Sequence, residues 1–271
     1  MIDVRLDFND RVSQIEKYLA FVWISDNRIT IRNLDSISEK KIILSNGQEL
    51  YLRSFLTENN DSYFIDNELV KILKSNTILL FYNLIEGTIS ALLNEFFGSI
   101  NLEGKKYDEL NLPVKKIWLK YKHRSFGVGE KKNVDYILST IETILEELVQ
   151  IAPKTISDAE LGSKTIHNYD AYCKETNSND ISGNLDAREI RKIFSLYGLP
   201  EINRSCNAML KVKNKRNSLA HGNETFAQVG SDFTIDELYI MKAEITDFLS
   251  YLLLEAETHI KSKKFLKTLE G

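Results

Sequence analysis

The amino-acid sequence predicts an all-α protein that carries one small β-hairpin near its N-terminus. Proline is scarce, with 3 residues among 271. Apolar residues recur every three or four positions in seven stretches, which is the period of an amphipathic helix. A single region combines β-prone runs with a turn signal. At about 150 residues per domain, the length allows one or two domains, and the apolar (43%) and charged (27%) fractions exclude a largely disordered chain.

The first 66 residues are predicted to form a helix followed by a hairpin extension. The helix covers about residues 8–23, and its apolar face repeats every three or four positions at Val12, Ile15, Leu19 and Val22. Further on, Asn46-Gly47 separates the β-prone runs 41–45 and 48–52. Asn-Gly favours the type I′ turn of a two-residue hairpin, because both residues tolerate positive φ.

The central part of the chain contains a long core helix, two further helices and a linker. The second helix covers about residues 67–97 and is almost wholly apolar in its middle, which predicts burial. The third helix is predicted at about 107–123 and the fourth at about 134–151, where Pro153 stops it. Residues 152–183 are polar and weakly periodic, so we interpret them as a linker or insertion.

Local start and stop signals mark the last three helices. The fifth helix, about 186–197, begins at Asp186 three residues before Glu189 and ends before Gly198. The sixth, about 204–221, ends at Gly222, which is a typical residue after a helix. Thr234 and Glu237 form a capping box before the seventh helix. The helical domain is therefore predicted at 67–261, with a C-terminal tail at 262–271.

Composition narrows the classes of function. The formal net charge is −4 and the pI about 5.7, which exclude a globally basic nucleic-acid coat but allow a local basic patch. The longest apolar run, about 78–85, is too short for a bilayer, and the charged N-terminus lacks a signal core. We therefore expect a soluble cytoplasmic protein without membrane contact. Cys173 and Cys206 cannot alone form a disulfide framework or a zinc site, so we expect no metal and no cofactor.

Most familiar enzyme motifs are absent. The sequence has no Walker-type phosphate loop, no H-E-x-x-H and no G-x-S-x-G. The glycines of 126–129 lie beside two lysines but lack a strand–loop–helix context, which favours a plain turn over a phosphate cradle. His123, His167 and His259 are predicted to be ordinary surface residues.

One basic stretch, residues 211–222, combines groups that suit phosphodiester chemistry without a metal. Four of the six residues at 211–216 are Lys or Arg, and Arg216 precedes His221 by five positions. Five helical steps turn about 140° past a full circle, so the two side chains do not strictly share a face. The reach of arginine and a loosened last turn before Gly222 still allow their heads to approach. Asn217 and Ser218 add hydrogen-bonding groups.

A guanidinium and an imidazole together suit phosphodiester chemistry, and in RNA this includes attack by the neighbouring 2′-OH. Arginine binds phosphate oxygens bidentately and stabilises charge in the transition state, whereas histidine moves protons near neutral pH. The neighbouring 2′-OH of RNA is then the nucleophile, which leaves a 2′,3′-cyclic phosphate and a 5′-OH.

The sequence Arg216-Asn217-Ser218-Leu219-Ala220-His221, an R-N-x-x-x-H on a late helix, resembles the signature of the HEPN superfamily (higher eukaryotes and prokaryotes nucleotide-binding domain). The surrounding KVKNKRNSLAHGNETF, the earlier LLFYNLIEG and the segment SGNLDAREIRKIFSLYGLP resemble a prokaryotic, MAE-like HEPN subgroup found in toxin and defence loci. The resemblance covers about residues 67–260.

The resemblance implies an antiparallel helical bundle and a metal-independent endoribonuclease that acts as a homodimer with a composite active site. Arg216 would bind the scissile phosphate, His221 would act as general acid or base, and Asn217 would orient them. Glu86 would be an acidic residue near the site, or else a buried carboxylate bonded to helix ends or an arginine. Four residues of this helix would contact the RNA backbone or, alternatively, form a solvated helix face: Lys211, Lys213, Lys215 and Ser218.

The resemblance also implies partners: an RNA substrate such as tRNA or mRNA, and an antitoxin or a partner defence protein. Two other functions stay open at this point. One is a non-catalytic HEPN-like module that binds RNA, a nucleotide or a partner protein, and the other is a helical scaffold without a site.

Overall fold

The computed structural model describes residues 1–26, 41–43, 49–51, 56–59, 62–125, 142, 145–146, 148–149 and 185–267. These residues are mostly helical, which confirms the helical part of the predicted fold class, while the antiparallel bundle and the N-terminal hairpin stay predictions. The helices are α1 (Ile2–Asp26), α2 (Asn67–Leu102), α3 (Leu112–Ser125), α4 (Ala187–Tyr197), α5 (Asn207–Ala220), α6 (Phe226–Ser231) and α7 (Ile235–Lys261).

Four short strands precede α2. Strand β1 (Lys41–Ile43) pairs antiparallel with β2 (Glu49–Tyr51), and β3 (Leu56–Asn59) pairs antiparallel with β4 (Ser62–Ile65). The Asn46-Gly47 turn lies outside the described residues, so its type I′ conformation stays a prediction. The β3–β4 pair was not predicted from the sequence.

The N-terminal helices are longer than the periodicity predicts, and the third is divided. Helix α1 exceeds the predicted 8–23 at both ends, while α2 begins at the predicted residue and continues to Leu102. The predicted helix at 107–123 is a 3₁₀ turn, Tyr107–Glu109, followed by α3. The break has a local cause, because the Asn111 side chain accepts a hydrogen bond from the Val114 N–H at 3.1 Å and starts a new helix.

The prediction that the fourth helix continues to residue 151 is wrong. Leu148 forms an isolated antiparallel bridge with Lys106, and the Val149 N–H donates to the Lys105 carbonyl at 2.8 Å. A residue whose backbone bonds to another segment cannot keep the helical pattern. Most of the predicted helix, Pro153 and the linker 152–183 lie outside the described residues.

The predicted caps of the later helices are confirmed. The Asp186 side chain accepts from the Arg188 and Glu189 N–H groups, both at 2.9 Å, and α4 begins there. Before α7, the Glu237 N–H donates to Thr234 Oγ1 at 3.2 Å and the Thr234 N–H donates back to Glu237 Oε2 at 2.7 Å. Helix α6 was not predicted, although its own capping box of Thr225 and Gln228 is a signal in the sequence.

Two compact units make up the fold. The first comprises residues 1–8, 85–207 and 247–271. Its core contains an aromatic cluster in which Phe96 lies 6.2 Å from both His259 and Phe265, measured between ring centroids. His259 is 5% exposed, so its prediction as a surface residue is wrong. The last turn of α7 is covered by the residues that follow it, and burial lowers the pKa of this imidazole below its ordinary value.

The second unit comprises residues 9–84 and 208–246. Within it, α1 and α2 run antiparallel, because Tyr18 of α1 donates its hydroxyl to the Leu73 carbonyl at 3.0 Å while the earlier Arg11 donates to the later Asn83 at 2.9 Å. Leu19, Val22 and Ile78 are fully buried in this unit. The domain borders at residues 66 and 262 stay predictions.

Helix α2 is also long and apolar enough, by length and composition, to cross a membrane. The apolar run 78–85, which is too short for a bilayer by itself, is one part of this 36-residue helix, and the absence of membrane contact stays a prediction. Half of its most apolar window is buried inside the protein, and the core helix of a soluble protein has the same composition.

Candidate active site on helix α5

Helix α5 carries the basic stretch on and beside the face that makes its core contacts. Ala208, Met209 and Val212 are buried, and they recur at the spacing of one helical face. Lys211 is exposed and Lys213 is half-buried, whereas Arg216 follows Val212 by four residues and continues the buried face. The geometry of the helix thus turns Arg216 toward the protein and leaves Lys211 in solvent.

His221 is the residue that ends α5. Gly222 has φ +69°, and the Asn223 N–H donates to the Ser218 carbonyl at 2.9 Å while the Gly222 N–H donates to that of Leu219 at 3.2 Å. These two bonds form a Schellman motif, which confirms the predicted role of Gly222 and makes His221 the C-cap. The imidazole is exposed at this helix end.

Arg216 is held between an aromatic ring and an amide. Its guanidinium carbon lies 4.6 Å from the ring centroid of Tyr82, a residue of α2 that is 4% exposed. Its Nη1 donates to Asn217 Oδ1 at 3.2 Å. A guanidinium over an aromatic face keeps its N–H donors along its edges, where they can bind an anion. Asn217 therefore bonds directly to the Arg216 guanidinium, which is the contact that an orienting role requires.

The structure places Arg216 and His221 at one helix end but does not join them directly. In the part of a single chain that the structure describes, no hydrogen bond connects the guanidinium to the imidazole. This agrees with the helical geometry, since five residues do not bring two side chains onto one face.

Lys215 is engaged by carboxylates. Its Nζ lies 2.7 Å from Glu224 Oε1 and 2.5 Å from Asp232 Oδ2. The Ser218 hydroxyl also bonds to Glu224. The bonds to Asp232 and Glu224 raise the pKa of the Lys215 ammonium, and the bonds from Lys215 and Ser218 lower the pKa of the Glu224 carboxyl. Sequence reasoning missed both carboxylates, although acidic residues soon after a basic helix are a signal for such pairs.

Two further predicted residues, Lys211 and Glu86, make contacts of their own. Lys211 acts on Glu237, whose pKa is lowered first by bonds from Thr234 and then by the Lys211 charge. Glu86 is half-buried in α2, and its backbone carbonyl accepts from the Ser90 hydroxyl at 2.6 Å. Because Glu86 belongs to the first unit and Arg216 to the second, its place near the site stays a prediction.

The residues that the structure describes offer no candidate site for a metal ion. They contain no group of three or more His, Cys, Asp or Glu residues that could hold a metal ion. Cys206 is buried and its sulfur is not in a disulfide. Cys173, His167, the glycines of 126–129 and the side chain of His123 lie outside the description.

A close helix contact fixes the segment that follows the site. Gly230 of α6 is buried, and a Cβ built on it would lie 1.8 Å from the Lys71 carbonyl oxygen of α2. Only glycine allows this approach of two backbones. Helix α6, which leads to Asp232, is therefore seated directly on α2.

Together, the helical fold and an Arg–His pair at the end of a capped helix define a class of helical proteins with a candidate phosphodiester site. The family model of the MAE-like HEPN proteins matches residues 7–265. The chain belongs to this HEPN family, whose wider superfamily comprises nucleases and RNA-binding modules. The match begins well before residue 67, so the family also includes α1. No curated protein matches the chain, and neither does any solved structure.

Proposed function

We propose that this protein is a metal-independent endoribonuclease. The observation that supports the proposal is the arrangement on α5: Arg216 is held by Tyr82 and Asn217, and the exposed His221 ends the same helix. A fixed cation and a mobile proton carrier are the two groups that phosphodiester cleavage by an internal nucleophile requires.

The proposed reaction begins at the ribose. A histidine accepts the 2′-OH proton while the 2′-oxygen attacks phosphorus, and the bond from phosphorus to the 5′-oxygen breaks. The departing 5′-oxygen takes a proton, so the products are a 2′,3′-cyclic phosphate and a 5′-OH. Arg216 stabilises the added negative charge on the phosphate oxygens in the transition state. Asn217 keeps the guanidinium in position through its bond to Nη1.

A second copy of the chain completes the site in this proposal. One step needs a base and the other an acid, and each chain carries a single histidine at α5. A two-fold dimer is the commonest closed assembly and would bring two His221 side chains toward one cleft. This also accounts for the lack of a hydrogen bond between Arg216 and His221 in the described part of one chain.

The biological setting is part of the proposal. The protein acts in the cytoplasm as a toxin or defence effector that cuts tRNA or mRNA. Because its net charge is −4 and Lys215 is neutralised by carboxylates, RNA recognition relies on a narrow groove, on Lys211 and Lys213, or on a partner protein such as an antitoxin.

The decisive experiment is RNA cleavage in the presence of EDTA. Wild-type protein should cut, leaving a 2′,3′-cyclic phosphate, whereas Arg216→Ala and His221→Ala should lose roughly 10²–10⁴-fold in rate. Arg188→Ala, which removes an exposed arginine of the first unit, is the matched control and should cut normally. Cleavage that requires magnesium, leaves a 5′-phosphate or proceeds at a 2′-deoxynucleotide would show that the proposed reaction is wrong.

The family match also supports a second function, that of a non-catalytic HEPN-like module that binds RNA, a nucleotide or a partner protein, because the superfamily comprises nucleases and RNA-binding modules. The cleavage assay together with light scattering separates the two functions: a monomer that binds RNA without cutting it supports the binding module.

A further inference from the structure

The residues on both sides of His221 are held by one ion-paired cluster. We define the Lys215 cluster as Lys215, Ser218, Glu224 and Asp232. Lys215 and Ser218 lie on α5 before the histidine, Glu224 lies three residues after it, and Asp232 follows α6. The cluster therefore closes a short loop of chain whose middle is His221.

The cluster is a network of charges and not an isolated ion pair. The side chains of Lys215 and Glu224 are 27% and 29% exposed, that of Asp232 is 45% exposed, and the ammonium lies 2.5 Å from this second carboxylate. Isolated exposed pairs contribute little because water and salt screen them, but a network of several charges with short bonds is an exception. The Lys215 cluster meets that condition.

Two other contacts anchor the same loop. The Schellman bonds at Gly222 and Asn223 fix its first half, and the packing of Gly230 on the Lys71 backbone fixes α6 behind it. Glu224 connects these anchors, since Thr225 directly after it caps α6. Glu224 lies between the two anchors, and its side chain bonds to Lys215 and Ser218 of α5, so loss of its charge would weaken the connection of this segment to α5.

We propose that Glu224, acting through Lys215 and Ser218, is a positioning residue that holds His221 in its catalytic place. Lys215 is then a structural cation of the loop, and the RNA contact assigned to it from the sequence is not its role. This inference rests on the proposed nuclease function for its catalytic consequence, but the positioning itself is a property of the free protein.

The experiment compares Glu224→Gln and Lys215→Met with Glu16→Gln. Glu16 is a matched control because it forms a separate ion pair, with Lys242 of α7 at 2.6 Å, in the same unit. Hydrogen exchange of the Gly222 and Asn223 amides is measured first. Both cluster variants should speed it by roughly tenfold, since a bond to a charged group is lost, whereas Glu16→Gln should not change it. Lys215→Arg keeps the cation, so the exchange of both amides should stay as slow as in the wild type.

Kinetics on RNA complete the test. The cluster variants should lower kcat by roughly tenfold or more with little change in KM, because a displaced histidine affects the reaction more than binding. If Lys215→Met instead raises KM, flattens the salt dependence and leaves amide exchange slow, Lys215 contacts RNA and the inference is wrong. If the wild type does not cut RNA, the nuclease proposal fails. Faster amide exchange in the two cluster variants, but not in Glu16→Gln, would then still support the positioning role of Glu224.

Discussion

Replacement of Gly222 by alanine isolates the cost of the backbone conformation that places His221. Gly222 has φ +69°, and a Cβ built on it meets nothing within 4 Å. The expected loss is therefore that of the left-handed conformation alone, about 1–2 kcal/mol of unfolding free energy. For a chain of this size, that corresponds to a fall in Tm of roughly 2–8 °C. Urea unfolding followed by circular dichroism measures it.

Gly198 provides the comparison, because it ends α4 with nearly the same φ, +67°, but has a neighbour. A Cβ there would lie 2.7 Å from Pro113 Cγ, so Gly198→Ala should cost about 1–3 kcal/mol more than Gly222→Ala. Gly222→Asn should be milder than Gly222→Ala, since asparagine tolerates this conformation. A Gly222→Ala variant as stable as wild type, or as unstable as Gly198→Ala, would refute the reasoning.

Three further predictions follow from the packing. Tyr82→Leu removes the ring under Arg216 and should lower kcat on RNA, whereas Tyr82→Phe keeps the ring and should retain activity; equal loss in both would contradict the cation–π role. Gly230→Ala places a methyl 1.8 Å from the Lys71 carbonyl oxygen and should cost more unfolding free energy than Gly222→Ala, again by urea titration. Burial lowers the pKa of His259 from its ordinary 6.5, so this imidazole binds a proton more tightly in the unfolded chain than in the folded protein. The free energy of unfolding should therefore reach its full value above about pH 6.5 and decrease as the pH falls below it. His259→Phe should weaken this pH dependence between about pH 7 and 5. An unchanged pH dependence in this variant would show that His259 does not cause it.

The sequence by itself determined the features that depend on neighbours within one helical turn. The caps at Asp186 and Thr234 and the glycine stops at 198 and 222 were predicted because side chain and backbone meet within a few residues there. The motif from Arg216 to His221 was visible for the same reason. The α6 cap at Thr225 carries an equally local signal.

Only the tertiary structure decided which partners these residues have. Tyr82 lies under Arg216, and Lys71 lies against Gly230, across large separations in the sequence. Nothing in a lysine-rich helix distinguishes a lysine that faces solvent from one that faces two carboxylates, because the choice depends on where Glu224 and Asp232 return in space. His259 was misassigned for this reason too: burial depends on what packs over a helix end, and periodicity near a terminus does not contain that information.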